Sequence, residues 1–102
     1  MLIFTLACGE VPADRVEAVV ALDGSVESGE TVFDENCRGC HGPKGVGVLF
    51  AAPSLQGNTL TPREIVAQIL GGGIQMPSFD GEISDVEIAD VAAYVAQDVA
   101  TR

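Results

Sequence analysis

Cys37-Arg38-Gly39-Cys40-His41 decides how this chain is read. Two cysteines spaced two apart, with a histidine directly after, have the spacing of covalent c-type haem attachment. Each thiol adds to one vinyl group of the porphyrin, and the histidine beside the second thioether reaches the iron through a ring nitrogen. Cys37 and Cys40 are therefore the candidate haem thioethers, and His41 is the candidate first axial ligand. Rival uses of the same residues fit poorly. A thioredoxin-like thiol pair needs a strand-to-helix setting that the flanking sequence lacks. Zinc needs a fourth ligand at finger spacing, and the adjacent Cys40 and His41 are poor tetrahedral partners. Residues 42–47 (GPKGVG) hint at a phosphate loop but lack its Lys-Ser/Thr ending. A Ser-His-Asp arrangement would have to use His41, the one histidine of the chain.

That count also shapes the second axial position. With a single histidine, bis-histidine ligation from within the chain is impossible. The methionines are Met1 and Met76, and Met76 lies in Gly71-Gly72-Gly73-Ile74-Gln75-Met76-Pro77. Permissive glycines before it and a rigid proline after it let a loop present the thioether at a set angle. Met as core filler is the bland alternative. Its place between the haem motif and the last helix makes Met76 the candidate second ligand. His/Met ligation raises the haem potential.

The chain has 102 residues, which is one small domain. A domain this size is marginal without a staple, and a covalent haem would be one. Aromatics are sparse, with four Phe, one Tyr and no Trp, which a porphyrin at the centre would offset. The net charge is −10, with fifteen acidic residues against five basic ones. That excludes a basic nucleic-acid footprint and argues against docking on anionic lipid through surface charge. Redox partners would offer a basic or apolar docking patch.

Periodicity predicts an all-α chain. Ser28 reads as an N-cap, with a helix from about Gly29 into the haem motif and with Gly39 and Gly42 helping to end it. Thr61-Pro62 starts a second helix with the apolar stripe Ile65, Val66, Ile69 and Leu70, which the triple glycine stops. Ser84 and Glu87 form a capping box ahead of Ile88, Val91, Ala92, Val95 and Val99. Before residue 28 two segments stand apart. Residues 1–8 are apolar and end at Cys8, in the manner of a lipoprotein signal remnant with Cys8 as candidate lipidation site. Thr5 replaces the usual Leu, and no basic stretch precedes. Residues 9–27 read as an acidic tether or lead-in, in which residues 15–22 have the makings of a short helix or strand. The compact domain is then 28–102.

Residues 28–99 resemble a small bacterial class I, mono-haem cytochrome c. Three stretches in the family's order carry the resemblance: 29–42 (GETVFDENCRGCHG), 52–57 (APSLQG) and 76–95 (MPSFDGEISDVEIADVAAYV). The resemblance implies the cytochrome c fold, with three to four helices and loops wrapped around one covalent haem c. It implies that Gly29 and Phe33 cross the last helix near Ala92 and Tyr94 or Val95. It implies that the Pro53 carbonyl accepts a hydrogen bond from the second ring nitrogen of His41. Phe50, Leu55, Leu70, Ile74 and Phe79 are candidates for the haem pocket. Two departures stand out. The lysine ring of mitochondrial members is missing, since the chain has only Lys44, so their partners do not carry over. No aromatic in residues 56–75 can hold a propionate, which leaves Asn58, Thr59, Arg63, Gln75 or backbone amides.

The implied role is a one-electron carrier, not an enzyme. The alternatives are a haem protein with a labile sixth ligand, acting in gas binding or peroxidase chemistry, and an electron-transfer subunit of a larger oxidoreductase complex. Thioether attachment is made outside the cytoplasm, so the expected location is the periplasm or the outer side of a bacterial membrane. Membrane contact is expected only through a lipid anchor at Cys8.

Overall fold

The structure, a computed structural model, describes residues 11–73 and 75–102. Five α-helices follow one another: α1 (Ala13–Val20), α2 (Val26–Asn36), α3 (Arg38–His41), α4 (Pro62–Gly71) and α5 (Asp85–Gln97). Short 3-10 turns at Pro43–Gly45 and Val99–Thr101 complete them. Among the described residues, extended pairing is limited to two isolated bridges, Val48 with Ala52 and Asp80 with Ile83. The all-α expectation therefore holds, with more helices than the three to four expected.

Local chemistry sets most of the helix ends. Ser84 accepts from the Glu87 N–H while Glu87 reaches back to the Ser84 N–H, the reciprocal box expected there. Thr61 and Glu64 form a second such box, with Pro62 at the first helical position. Caps of this kind contribute about 1 kcal/mol each. Gly72, at φ 72°, ends α4 in a conformation that costs other residues more.

Two expectations about the start of the domain are corrected. The cap of α2 is Ser25, whose side chain accepts from the Ser28 N–H, so the helix begins at Val26 rather than near Gly29. The Ser25 N–H in turn donates to the largely buried carboxylate of Asp90 on α5, at 2.8 Å. A long-range carboxylate over the first turn of α2 thus selects the earlier start, as the N-terminal helix dipole favours. Residues 9–27 are likewise not just a tether. Val16 and Val19 of α1 are buried in the common core, so the packed body starts well before Ser28.

The core is the crossing of α2 and α5. Gly29 makes it possible, because a Cβ there would collide with the Asp90 carbonyl and approach Tyr94 Cβ. Phe33 then stacks on Tyr94 with ring centroids 5.4 Å apart. The crossing falls at Asp90 and Tyr94, so Tyr94 is where it was expected and the first contact is two residues before Ala92. Phe33, Ile88, Val91, Tyr94 and Val99 are almost fully buried around it. Each such apolar side chain contributes about 1.5–3 kcal/mol by leaving water. From this frame the end of α2, the turn of α3 and the loop after α4 face one cleft.

Candidate functional site

The haem motif folds as a tight local turn. Cys37 caps α2 by donating its N–H to the Phe33 carbonyl at 2.7 Å. Its own carbonyl then accepts from the Cys40 and His41 N–H groups, which starts α3 within the motif. Gly42, at φ 79°, ends that turn, where a Cβ would press on Val46 and Gly47. Of the two cysteines, Cys37 is half-buried and Cys40 exposed. The His41 ring lies 6.2 Å from that of Phe33.

Cys37, Cys40 and His41 line one wall of a cleft of about 690 Å³, within the range of cofactor sites. Met76, Pro77 and Phe79 line it from the loop after α4, joined by Gln68, Gly73 and Gln75. Ala51, Ala52 and Pro53 close a further side. Deeper in, a small cavity of about 70 Å³ brings His41 and Met76 together with Leu55, Ile65 and Ile69. Met76 is partly buried against the core, and the Gln68 side-chain amide lies 3.9 Å from its sulfur while bonding the Gly72 carbonyl at 3.0 Å.

Desolvation sets the chemistry of these groups. Burial lowers the pKa of His41, which favours the neutral imidazole that binds metals. Burial, with Cys40 adding to it, pushes the Cys37 thiol up to about 11. Such a thiol is a poor thiolate at neutral pH, which disfavours the redox-pair reading. His41 Nδ1 is buried without a hydrogen-bond partner. An unpaired buried nitrogen costs about 1–3 kcal/mol, so this wall is built for more than apolar packing. A neutral imidazole, a thioether and two thiols around one apolar cleft fit a covalent haem.

The expected pocket residues take different places around the cleft. No hydrogen bond joins His41 Nδ1 to the Pro53 carbonyl in this structure. The Val48–Ala52 turn closes on itself, and the Pro53 backbone sits against Gly47 instead. Pro53 still lines the cleft, as does Phe79. Leu55 borders the deeper cavity. Leu70 is buried in the core rather than on the cleft wall, since α4 turns it inward beside Val66. Phe50 is 94 % exposed, in a turn where its φ is 67°. Ile74 lies outside the described residues. Of the propionate candidates, Gln75 lines the cleft. Arg63 is paired with Glu17, and Asn58 donates to the Leu55 and Val95 carbonyls. Asn36 and Gln68 were missed. Gln68 is exposed beside the apolar stripe of α4, where a polar residue is ordinary, so the sequence carried no signal for it.

Comparison with known proteins agrees with this geometry. Residues 24–95 match the family model described as cytochrome C oxidase, cbb3-type, subunit III. Cytochrome c6 of Leptolyngbya boryana is 40% identical over 74 residues, covering 67% of this chain and 86% of that protein. The chain belongs to the class I c-type cytochromes. Cytochrome c6 of Synechocystis sp. is 37% identical over 81 residues, covering 74% of this chain and 67% of that protein. The crystal structure of cytochrome c6 from the diatom Phaeodactylum tricornutum superposes with a TM-score of 0.64 at 38% identity, over 74% of this chain and 95% of that one. The fold is thus the cytochrome c fold, the cofactor is one covalent haem c, and the chain is an electron carrier rather than an enzyme. It serves redox partner proteins. Among the described residues no helix is long and apolar enough to cross a membrane.

Proposed function

We propose that Cys37 and Cys40 hold the haem as thioethers and that His41 and Met76 are its axial ligands. The observation that carries this is the cleft itself, which brings all four side chains to one apolar space of about 690 Å³. Bound there, the haem supplies a one-electron ferric/ferrous couple. The chain's own work is to keep that couple dry and its ligands still. Phe33, Leu55, Ile65 and Ile69 border His41 and Met76 and exclude water from them. A soft sulfur opposite a neutral imidazole favours the reduced state. The α2–α5 crossing and the loop contacts hold both ligands in place through the cycle, so little reorganises on electron transfer. The experiment is an optical spectrum of the ferric holoprotein. A low-spin spectrum with a weak near-infrared sulfur-to-iron band is expected. A high-spin ferric form that binds carbon monoxide rapidly once reduced would point instead to an open sixth position.

The docking surface follows from the charges and one turn. Of the five basic residues, Arg15, Lys44, Arg63 and Arg102 are each paired with an acidic side chain, and Arg38, exposed within the haem motif, makes no ion pair among the described residues. With a net charge of −10 a partner meets a mainly acidic surface away from Arg38, or the apolar tip of Leu49 and Phe50, which are 82 % and 94 % exposed. The tip adjoins Ala51 and Ala52 in the cleft wall, so partner contact there shortens the electron's path. We assign it the apolar docking role. Leu49→Ser with Phe50→Ser is expected to slow reduction by a protein donor several-fold, while reduction by ascorbate stays unchanged. Equal slowing of both would refute it.

The location proposed is the periplasm or the outer side of a membrane, with Cys8 as lipidation site. Cys8 lies outside the described residues. The support is chemical, since thioether attachment belongs to that compartment. An intact mass of protein taken from membranes would carry separate increments for haem and lipid, and a mass with haem alone would remove the anchor.

A further inference from the structure

We infer that α1 is a strap that holds the Met76 loop closed, with Arg15 as the positioning residue, and that it thereby limits exchange of the sixth haem ligand. The inference rests on the His41/Met76 reading above. Helix α1 lies ahead of residues 24–95, the part matched by the family model, so the shared framework does not account for it. It packs on α4 and α5, the two helices that flank the methionine loop. Val16 and Val19 bury its inner face.

Charged links then tie α1 to both flanks. Arg15 Nη2 donates to Asp80 Oδ1 at 2.7 Å and to Asp85 Oδ1 at 2.8 Å. Its Nη1 donates to Asp85 Oδ2 at 3.0 Å, so the guanidinium grips Asp85 with two nitrogens and Asp80 with one. Asp80 follows Met76 by four positions in the loop, and Asp85 opens α5. Two residues along α1, Glu17 accepts from Arg63 Nη2 at 2.7 Å near the start of α4.

Among the described residues, the other bonds of the loop reach α4 or stay within the loop. The Phe79 N–H donates to the Ile69 carbonyl, the Ser78 hydroxyl to the Leu70 carbonyl, and the Gly73 N–H to the Met76 carbonyl. Arg15 is the link that fastens the loop from across the chain, some 65 positions away. It also supplies the countercharge that lets Asp80 and Asp85 share one corner. A lone exposed ion pair contributes little, whereas a two-pronged guanidinium on two carboxylates contributes more. Local opening of such a loop is the motion that would release a methionine from iron.

The test is the rate at which imidazole replaces the sixth ligand in the ferric holoprotein. Arg15→Ala is expected to accelerate exchange about three- to tenfold, and Arg15→Lys to restore part of the loss. Asp80→Asn, a milder change, should move the rate the same way. Arg63→Ala breaks the Glu17 pair to α4 while leaving the Asp80 and Asp85 links intact, and should leave the rate within about twofold of wild type. Added salt should accelerate exchange in the wild type and have little effect on Arg15→Ala, because salt screens the same pairs. A purely structural role would lower the unfolding temperature of Arg15→Ala while exchange under native conditions stays at the wild-type rate, and that result would overturn the inference. If the wild type lacks the sulfur-to-iron band, the ligand reading fails instead. The band is therefore recorded first.

Discussion

The two walls of the cleft are held by different means. The haem motif closes through bonds between near neighbours, from Cys37 to the Phe33 carbonyl and from Cys40 and His41 to the Cys37 carbonyl. The methionine wall depends on distant partners, on Ile69 and Leu70 of α4 and on Arg15 of α1. One wall is thus a property of a short peptide turn, and the other is a property of the assembled domain. The difference is useful in an electron carrier. The anchoring side must be recognisable in the chain as the haem is attached, while the sixth ligand can be tuned by whatever packs behind its loop.

The largest expected effect breaks the local wall. Cys37→Ala with Cys40→Ala should remove the haem increment from the intact mass and leave a chain with much reduced helical circular dichroism. A small domain with few aromatics has little else to fill the cleft between α2 and the methionine loop. A stable helical apo form would show that the α2–α5 crossing suffices without the cofactor. Breaking the other wall should cost less. Met76→Ala should keep the haem mass and the fold while losing the near-infrared band and turning the ferric spectrum high-spin. Loss of covalent haem in that variant would mean that the two walls are not separable.

The smallest effect sharpens the comparison through pH. The hydrogen bond from Arg63 lowers the pKa of Glu17 below its ordinary value of 4.5. A carboxylate depressed in the folded state adds stability that is fully present above its unfolded value and lost as the pH falls through the folded one. The link between α1 and α4 should therefore weaken only below about pH 4.5. In thermal unfolding, the gap between wild type and Arg63→Ala should be small at about pH 6 and close at about pH 3.5. A gap that persists in acid would mean that Arg63 acts through packing and not through the pair.

Legibility in the sequence followed the same divide. The motif, the single internal methionine and the Ser84 capping box could be read directly, because each is made of residues within a few positions of one another. The packing of α1 could not. Its apolar positions Val16 and Val19 make a stripe too short to decide between a packed helix and a lead-in. The true cap of α2 was missed because Asp90, 65 positions away, stabilises Ser25 in that role. Phe50 read as pocket because it is apolar and near the motif, yet it stands 94 % exposed on its turn. Leu70 was placed on the right face of α4, but that face serves the core and the cleft together, and periodicity does not divide them.

By itself, then, the sequence determined the cofactor chemistry, the all-α class and the identity of both candidate ligands, because these depend on residue type and short spacing. Tertiary structure alone decided that Gly29 admits the backbone of α5, that Pro53 leaves His41 Nδ1 unpaired, and that Arg15 crosses to Asp80 and Asp85. Those outcomes depend on which surfaces meet in space, and no local pattern of side chains encodes the meeting of positions some 65 residues apart.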